Sequence, residues 1–211
     1  VLGKILGWNP KIITIFGVPL HLHISFLLFV AYFCVFIPSL VFYIIGAFVG
    51  VAIHEYGHIL AAKYFGIDTK KVILCPLGGV ALLEKMPRNP MQEFCITAAG
   101  PLTSLLLSIW CLALGVITYK VSQFFVVMAI LNAGMFVFNC LPLGVMDGGR
   151  MLRATLQVKY TFAEATKITF KVSLAFFALI MVVAIINFDI MLMLTMCLVM
   201  MFTYAENSRN A

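Results

Sequence analysis

The sequence predicts an all-α polytopic membrane protein of about six transmembrane helices with short interfacial or re-entrant β segments, and three observations lead there. Hydrophobic residues make up 64% of the 211 and charged residues only 10%, against roughly a quarter charged in a soluble domain. Mean hydropathy is +1.11, so the chain lacks the polar residues that a water-facing surface of this size needs. Its apolar residues are gathered into runs near the ~20 residues that cross a hydrocarbon core.

Taken in order, residues 1–23 should form an interfacial hairpin, because Gly17 and Pro19 punctuate the stretch from Lys11 to Leu22. A six-helix core then covers residues 24–204. The first span, 24–37, stops at Pro38-Ser39; the second, 40–62, is closed by Lys63. Residues 66–90, carrying Lys70, Lys71, Glu84, Lys85 and Arg88, read as a re-entrant or interfacial loop. The third span, 94–119, contains Gly100-Pro101 and should bend there, since proline removes a helix hydrogen bond. The fourth covers 121–140. The fifth and sixth, 172–186 and 190–204, are separated by Asn187-Phe188-Asp189, and residues 205–211 form a tail. The whole of 1–211 reads as one transmembrane domain.

The net charge of +6 and the pI near 9.1 gain meaning from position. With six spans and a cytoplasmic N-terminus, all fourteen Lys and Arg except Lys120 fall on the cytoplasmic side, as the positive-inside rule requires. Both termini are therefore expected in the cytoplasm, and the basic balance points to a lipid bilayer as partner and not to nucleic acid. The six cysteines form no CxxC and lie mostly in apolar runs, where cysteine packs as a small hydrophobe. They should be unbridged, and a cysteine-held metal is not expected.

Within the second span lies His54-Glu55-Tyr56-Gly57-His58. Two histidines four residues apart share one helix face, so both imidazoles can reach one Zn²⁺ while Glu55 stands beside them as a general base. At 1.5 Å per residue His58 and His54 sit roughly 8 and 14 Å inward from Lys63, a depth at which ionisable groups mark function.

A catalytic zinc has three protein ligands and an open position, and Asp147 is the leading candidate for the third. It sits in a segment, 139–149, that Pro142, Gly144, Gly148 and Gly149 prevent from being regular helix; at membrane depth such backbone belongs in protein or beside a water-filled cavity. The alternative is a carboxylate capping a helix that begins near Gly148, and Asp189 is a weaker rival as ligand.

These residues carry a resemblance. His54-Glu55-Tyr56-Gly57-His58, followed by Asn139-x-x-Pro142 and Asp147-Gly148, resembles the site-2 protease family of intramembrane zinc metalloproteases, in its archaeal and sporulation-type transmembrane core. Pro76-Leu77-Gly78-Gly79-Val80 is similar to the family's loop after the metal helix, and Ala99-Gly100-Pro101 to its third-helix signature. The resemblance implies His54, His58 and Asp147 as ligands of one Zn²⁺ per chain and Glu55 as the catalytic carboxylate. It also implies regulated intramembrane proteolysis in a prokaryotic cell membrane, with a single-pass transmembrane substrate; some relatives carry a soluble regulatory domain, which is expected outside these 211 residues if present. Val145 departs from the family, which often has a second proline before the aspartate.

Three further positions bear on substrate. Gly78, Gly79 and Val80 begin a glycine-plus-apolar run that is either a re-entrant strand able to pair with an unwound substrate or a simple membrane-dipping loop. Asn139 is either a donor to substrate backbone or an interhelical hydrogen bond; Asn132 fits the latter class. His21 and His23 could share a strand face for a second metal, but with no acidic partner nearby they read as interfacial histidines.

A competing reading from another class makes the same His, Glu and Asp groups the transit site of a metal transporter or the binding site of a metal sensor. The absence of visible internal repeats and the position of Glu55 between the two histidines favour the hydrolase.

Overall fold

The computed structural model describes residues 9–75, 78–85, 87, 89–118 and 122–210. Residues 1–8 of the expected hairpin, Pro76 and Leu77 of the loop motif, Arg88 and the basic Lys120 lie outside them. Four strands, β1 (Lys11–Ile15), β2 (Val18–Leu22), β3 (Thr69–Cys75) and β4 (Gly78–Leu83), accompany helices α1 (Ile24–Phe36), α2 (Pro38–Tyr64), α3 (Pro90–Ile117), α4 (Ser122–Asn139), α5 (Asp147–Leu156), α6 (Phe162–Ile186) and α7 (Ile190–Asn210). Four helices, α2, α3, α4 and α6, are long and apolar enough to cross a membrane; α1 and residues Ile190–Ala205 are shorter apolar helices. The protein is a multi-pass membrane protein, mostly helical with a small sheet.

Contacts divide the chain into two compact units, one formed by residues up to Met86 with Leu102–Phe136, the other by Pro87–Pro101 with the chain from Val137 onward.

The first unit begins with the expected hairpin. Phe16 and Gly17, at φ 52° and 86°, make a two-residue turn of the type that matches strand twist, and Ile15 pairs with Val18. The sheet runs β1-β2-β3-β4. Its β2–β3 pair is parallel, with Leu20 opposite Val72 and Leu22 opposite Leu74, so α1 and α2 together make the crossover that a parallel pair requires. His23 starts α1 by accepting the Ser25 N–H at 3.2 Å, while its own N–H donates to the Leu74 carbonyl at 2.9 Å.

Proline at its start and a glycine just past its end bound α2. Gly66, at φ 71°, donates to the Lys63 carbonyl and Ile67 donates to that of Ala62, both at 2.9 Å; this is a Schellman closure, in which the left-handed residue is glycine because a Cβ there is strained. The sheet packs on the C-terminal half of α2. Val18, Leu20, Tyr56, Ile59, Val72 and Leu74 form one buried cluster, and the Tyr56 hydroxyl donates to the Val18 carbonyl at 3.2 Å. Farther along the chain the later part of α3 meets α4 through Cys111, Met128 and Ala129, tied by the Ser108 hydroxyl on the Ala129 carbonyl at 2.8 Å. Gly50 of α2 faces Asn132 of α4 so closely that a Cβ would lie 2.8 Å from Asn132 Oδ1; the amide itself donates to the Met128 carbonyl of its own helix at 2.8 Å, so the interhelical hydrogen bond expected of this asparagine is replaced by an intrahelical one.

In the second unit Thr161 and Glu164 form a reciprocal capping box at the start of α6. The helix therefore begins at Phe162, well before residue 172, where the apolar run starts. Leu143, Met196 and Val199 make the core between the 140–146 turn and α7, with Phe177 and Met181 of α6 against it. Buried Arg153 of α5 donates to Glu93 of α3 at 2.5 Å, and Gln157 donates to the other Glu93 oxygen at 3.1 Å.

Residues 66–90 hold more structure than a loop: most of the stretch is β3 and β4 in antiparallel register, Val72 opposite Ala81 and Ile73 opposite Val80. All six cysteines are free thiols.

Candidate metal centre

Residues 54–58 lie wholly inside α2, so the four-residue spacing stacks the two imidazoles one turn apart. Both are buried. Their Nε2 atoms stand 3.2 Å apart and the rings are nearly perpendicular, at 83°. Two nitrogens bound at 2.0–2.1 Å on adjacent corners of a tetrahedron are separated by about 3.3 Å, so the pair already has the edge length of a zinc site. The other nitrogen of His54, Nδ1, lies 2.8 Å from the Ser104 hydroxyl of α3. That contact directs Nε2 toward the shared position and fixes ring orientation, the usual office of a group behind a metal ligand.

Ser104 is fully buried and was not legible from the histidine motif. The signal for it was available: Thr97, Ser104 and Ser108 recur at helical spacing in an otherwise apolar run, a polar stripe on one face.

Glu55 is half-buried and packs against β4. A Cβ at Gly79 would sit 2.9 Å from both Glu55 Cδ and Oε1, and closer still to Cγ. Gly79 is thus the space that the general-base candidate occupies. Gly78, at φ 131°, adopts a conformation that side-chain-bearing residues rarely take. Val80 pairs with Ile73 on β3. Because β4 ends the sheet, its outer edge has no strand partner among the described residues.

In the second unit Asp147 opens α5 and is 8% exposed. The residue at the cap position is Met146, with no side-chain cap bond, and Asp147 is the acidic residue of the first turn. The two glycines after it are there for backbone approach. A Cβ on Gly148 or Gly149 would strike the carbonyls of Cys140, Leu141 or Leu143, and the chain could not fold back under its own turn. Asn139 ends α4 and is half-buried.

His21 Nδ1 lies 2.8 Å from the Asn9 carbonyl and His23 Nδ1 lies 2.6 Å from the Ser25 hydroxyl. Asp189 accepts the Leu192 N–H at 2.9 Å as a helix-start residue.

The sequence model of peptidase family M50 matches residues 42–122 and 116–181. The chain is 32% identical over 204 residues to a zinc metalloprotease of Methanocaldococcus jannaschii, covering 90% of this chain and 58% of that protein. It is 31% identical over 127 residues to the stage IV sporulation protein FB of Bacillus subtilis, covering 60% of this chain and 44% of that one. The chain thus spans about half the length of these curated relatives. Among solved structures it is similar to the site-2 protease from Methanocaldococcus jannaschii, with a TM-score of 0.68, 30% identity and 95% of each chain covered.

Proposed function

The chain belongs to peptidase family M50, and from that premise we propose that it is a zinc-dependent endopeptidase hydrolysing a peptide bond in or near the transmembrane segment of a membrane-anchored protein, in regulated intramembrane proteolysis. The observation that carries the reading is the His54–His58 nitrogen pair, 3.2 Å apart with Glu55 between them in sequence, on a helix long and apolar enough to cross a membrane.

His54, His58 and Asp147 hold the metal in this reading. Support for Asp147 is its burial at the start of α5, directly after a turn without regular secondary structure, together with the likeness of Asp147-Gly148 to the family's motif. Zinc held there supplies a Lewis acid for the scissile carbonyl and acidifies the attacking water. Glu55 takes the proton from that water and delivers it to the leaving amine, so one carboxylate serves as base and then as acid. Ser104 holds His54 in the required rotation.

A helix cannot be cut while its carbonyls are hydrogen-bonded along its axis, so the substrate must be extended at the site. The outer edge of β4, whose Gly79 adjoins Glu55, suits such a strand, with Gly78, Gly79 and Val80 nearest the chemistry and Asn139 as a donor to substrate backbone. The substrate is a single-pass transmembrane protein. The protein is one transmembrane core in which α1 and α7 cross along with the four longer helices, both termini are cytoplasmic, and the metal faces the cytoplasmic side.

Reconstitution in lipid vesicles with a single-span peptide tests the reading. Glu55→Gln should lower cleavage by roughly 100-fold or more while zinc content stays at one per chain. Full-rate cleavage by Glu55→Gln, or zinc flux across the vesicle without cleavage, overturns it.

A further inference from the structure

The turn that precedes Asp147 has no regular secondary structure over residues 141–146, so its backbone groups need partners from elsewhere. Some are local: Leu143 donates to Leu141 at 2.7 Å and Met146 to Leu143 at 2.8 Å. Gly144 is served by a side chain from another helix. Its N–H donates to the Ser173 hydroxyl of α6 at 3.0 Å, and the same oxygen lies 3.1 Å from the Pro142 carbonyl and 2.8 Å from the Thr169 carbonyl one turn back on its own helix. Ser173 is 1% exposed. A single hydroxyl therefore accepts from one side of the turn and stands within donating distance of the other.

Contacts on the rest of the turn leave it little room. A Cβ on Gly144 would lie 3.0 Å from Thr203 Cγ2 of α7, and Gly149 would meet the Leu143 carbonyl. Displacement of Gly144 is thus carried through Leu143 into the first turn of α5, whose first residue is Asp147.

We propose that Ser173 is a positioning residue for the metal centre, setting where the Asp147 carboxylate stands by clamping the Pro142–Gly144 backbone to α6. The proposal rests on the reading of Asp147 as the third ligand. Neither α6 nor its serine belongs to the motif that predicts the metal site, and Ser173 acts only through the turn.

Cobalt(II) substituted for zinc in the full chain in detergent gives a visible spectrum that reports ligand geometry. Asp147→Asn, Ser173→Ala and Ser173→Thr are compared with the unaltered protein for that spectrum, for zinc affinity by chelator competition, and for helix content. Asp147→Asn should change the spectrum. Ser173→Ala should change it too and weaken zinc binding roughly tenfold at unchanged helix content, and Ser173→Thr, which restores the hydroxyl, should recover both. If Asp147→Asn leaves the spectrum unaltered, the ligand assignment falls and takes the clamp with it. If Asp147→Asn changes the spectrum and Ser173→Ala does not, the clamp alone is overturned, as it is if Ser173→Thr fails to recover what Ser173→Ala loses. Should Ser173→Ala lose its helix content, Ser173→Cys, with a weaker donor and acceptor of similar size, is read instead: an intermediate spectrum supports the clamp and an unaltered one overturns it.

Discussion

A single absent methyl group matters most at the residue scale. Gly79 leaves the volume in which the Glu55 side chain lies, so Glu55 and the strand beside it are fitted to each other. Gly79→Ala should push Glu55 aside and reduce cleavage by about 100-fold, the cost of a misplacement near 1 Å, while zinc content, which depends on other side chains, stays at one per chain. Peptide cleavage and metal analysis of the same preparation check this; unchanged cleavage would mean that Glu55 can work from another rotamer. Histidines and glutamate of the centre were readable in the sequence because an (i, i+4) pair is a statement about one helix face. The polar stripe marks Ser104, fifty residues from His54, but not its partner, because a hydroxyl in a membrane helix reads the same whether it bonds its own backbone, as Thr97 does to the Glu93 carbonyl at 2.7 Å, or an imidazole on another helix.

Elements differ in how openly the sequence declares them. The early apolar runs gave helices almost at their observed ends because run length and proline position decide where a membrane helix starts. β3 was hidden: it opens on Thr69-Lys70-Lys71, which reads as a solvated loop, and its pairing with β2 is a contact across some fifty residues that no local pattern encodes. The early start of α6 is explained by its capping box, a four-residue signal that charged Lys167 and Lys171 obscured within an apolar search. Where β4 ends the sheet, its exposed edge makes the element itself testable. Ala81→Pro deletes a backbone donor from the outer edge of the strand; cleavage should fall more than tenfold, a loss of order 1.4 kcal/mol or more in transition-state binding, with zinc content unaltered. Retained cleavage would show that the substrate does not pair with this strand.

At the scale of the whole molecule the two units differ in chemistry as well as in sequence: the histidines and Glu55 belong to one, Asp147 to the other. The orientation proposed for the bilayer rests on the basic residues, and can be read directly. In a cysteine-free background, Ser122→Cys should react with a membrane-impermeant maleimide added to intact cells, whereas Val158→Cys, on an exposed residue, should react only after permeabilisation; the reverse pattern would invert the topology. The parallel pairing of β2 with β3 has a consequence in time. The ribosome makes β2 first, then the two helices α1 and α2, and only then β3 and β4, so the sheet cannot close until both helices are threaded and folded back. Glu55 meets Gly79 only after that closure. The half-made chain therefore carries His54 and His58 without the strand against which Glu55 packs, and in the proposed mechanism the working geometry is acquired last.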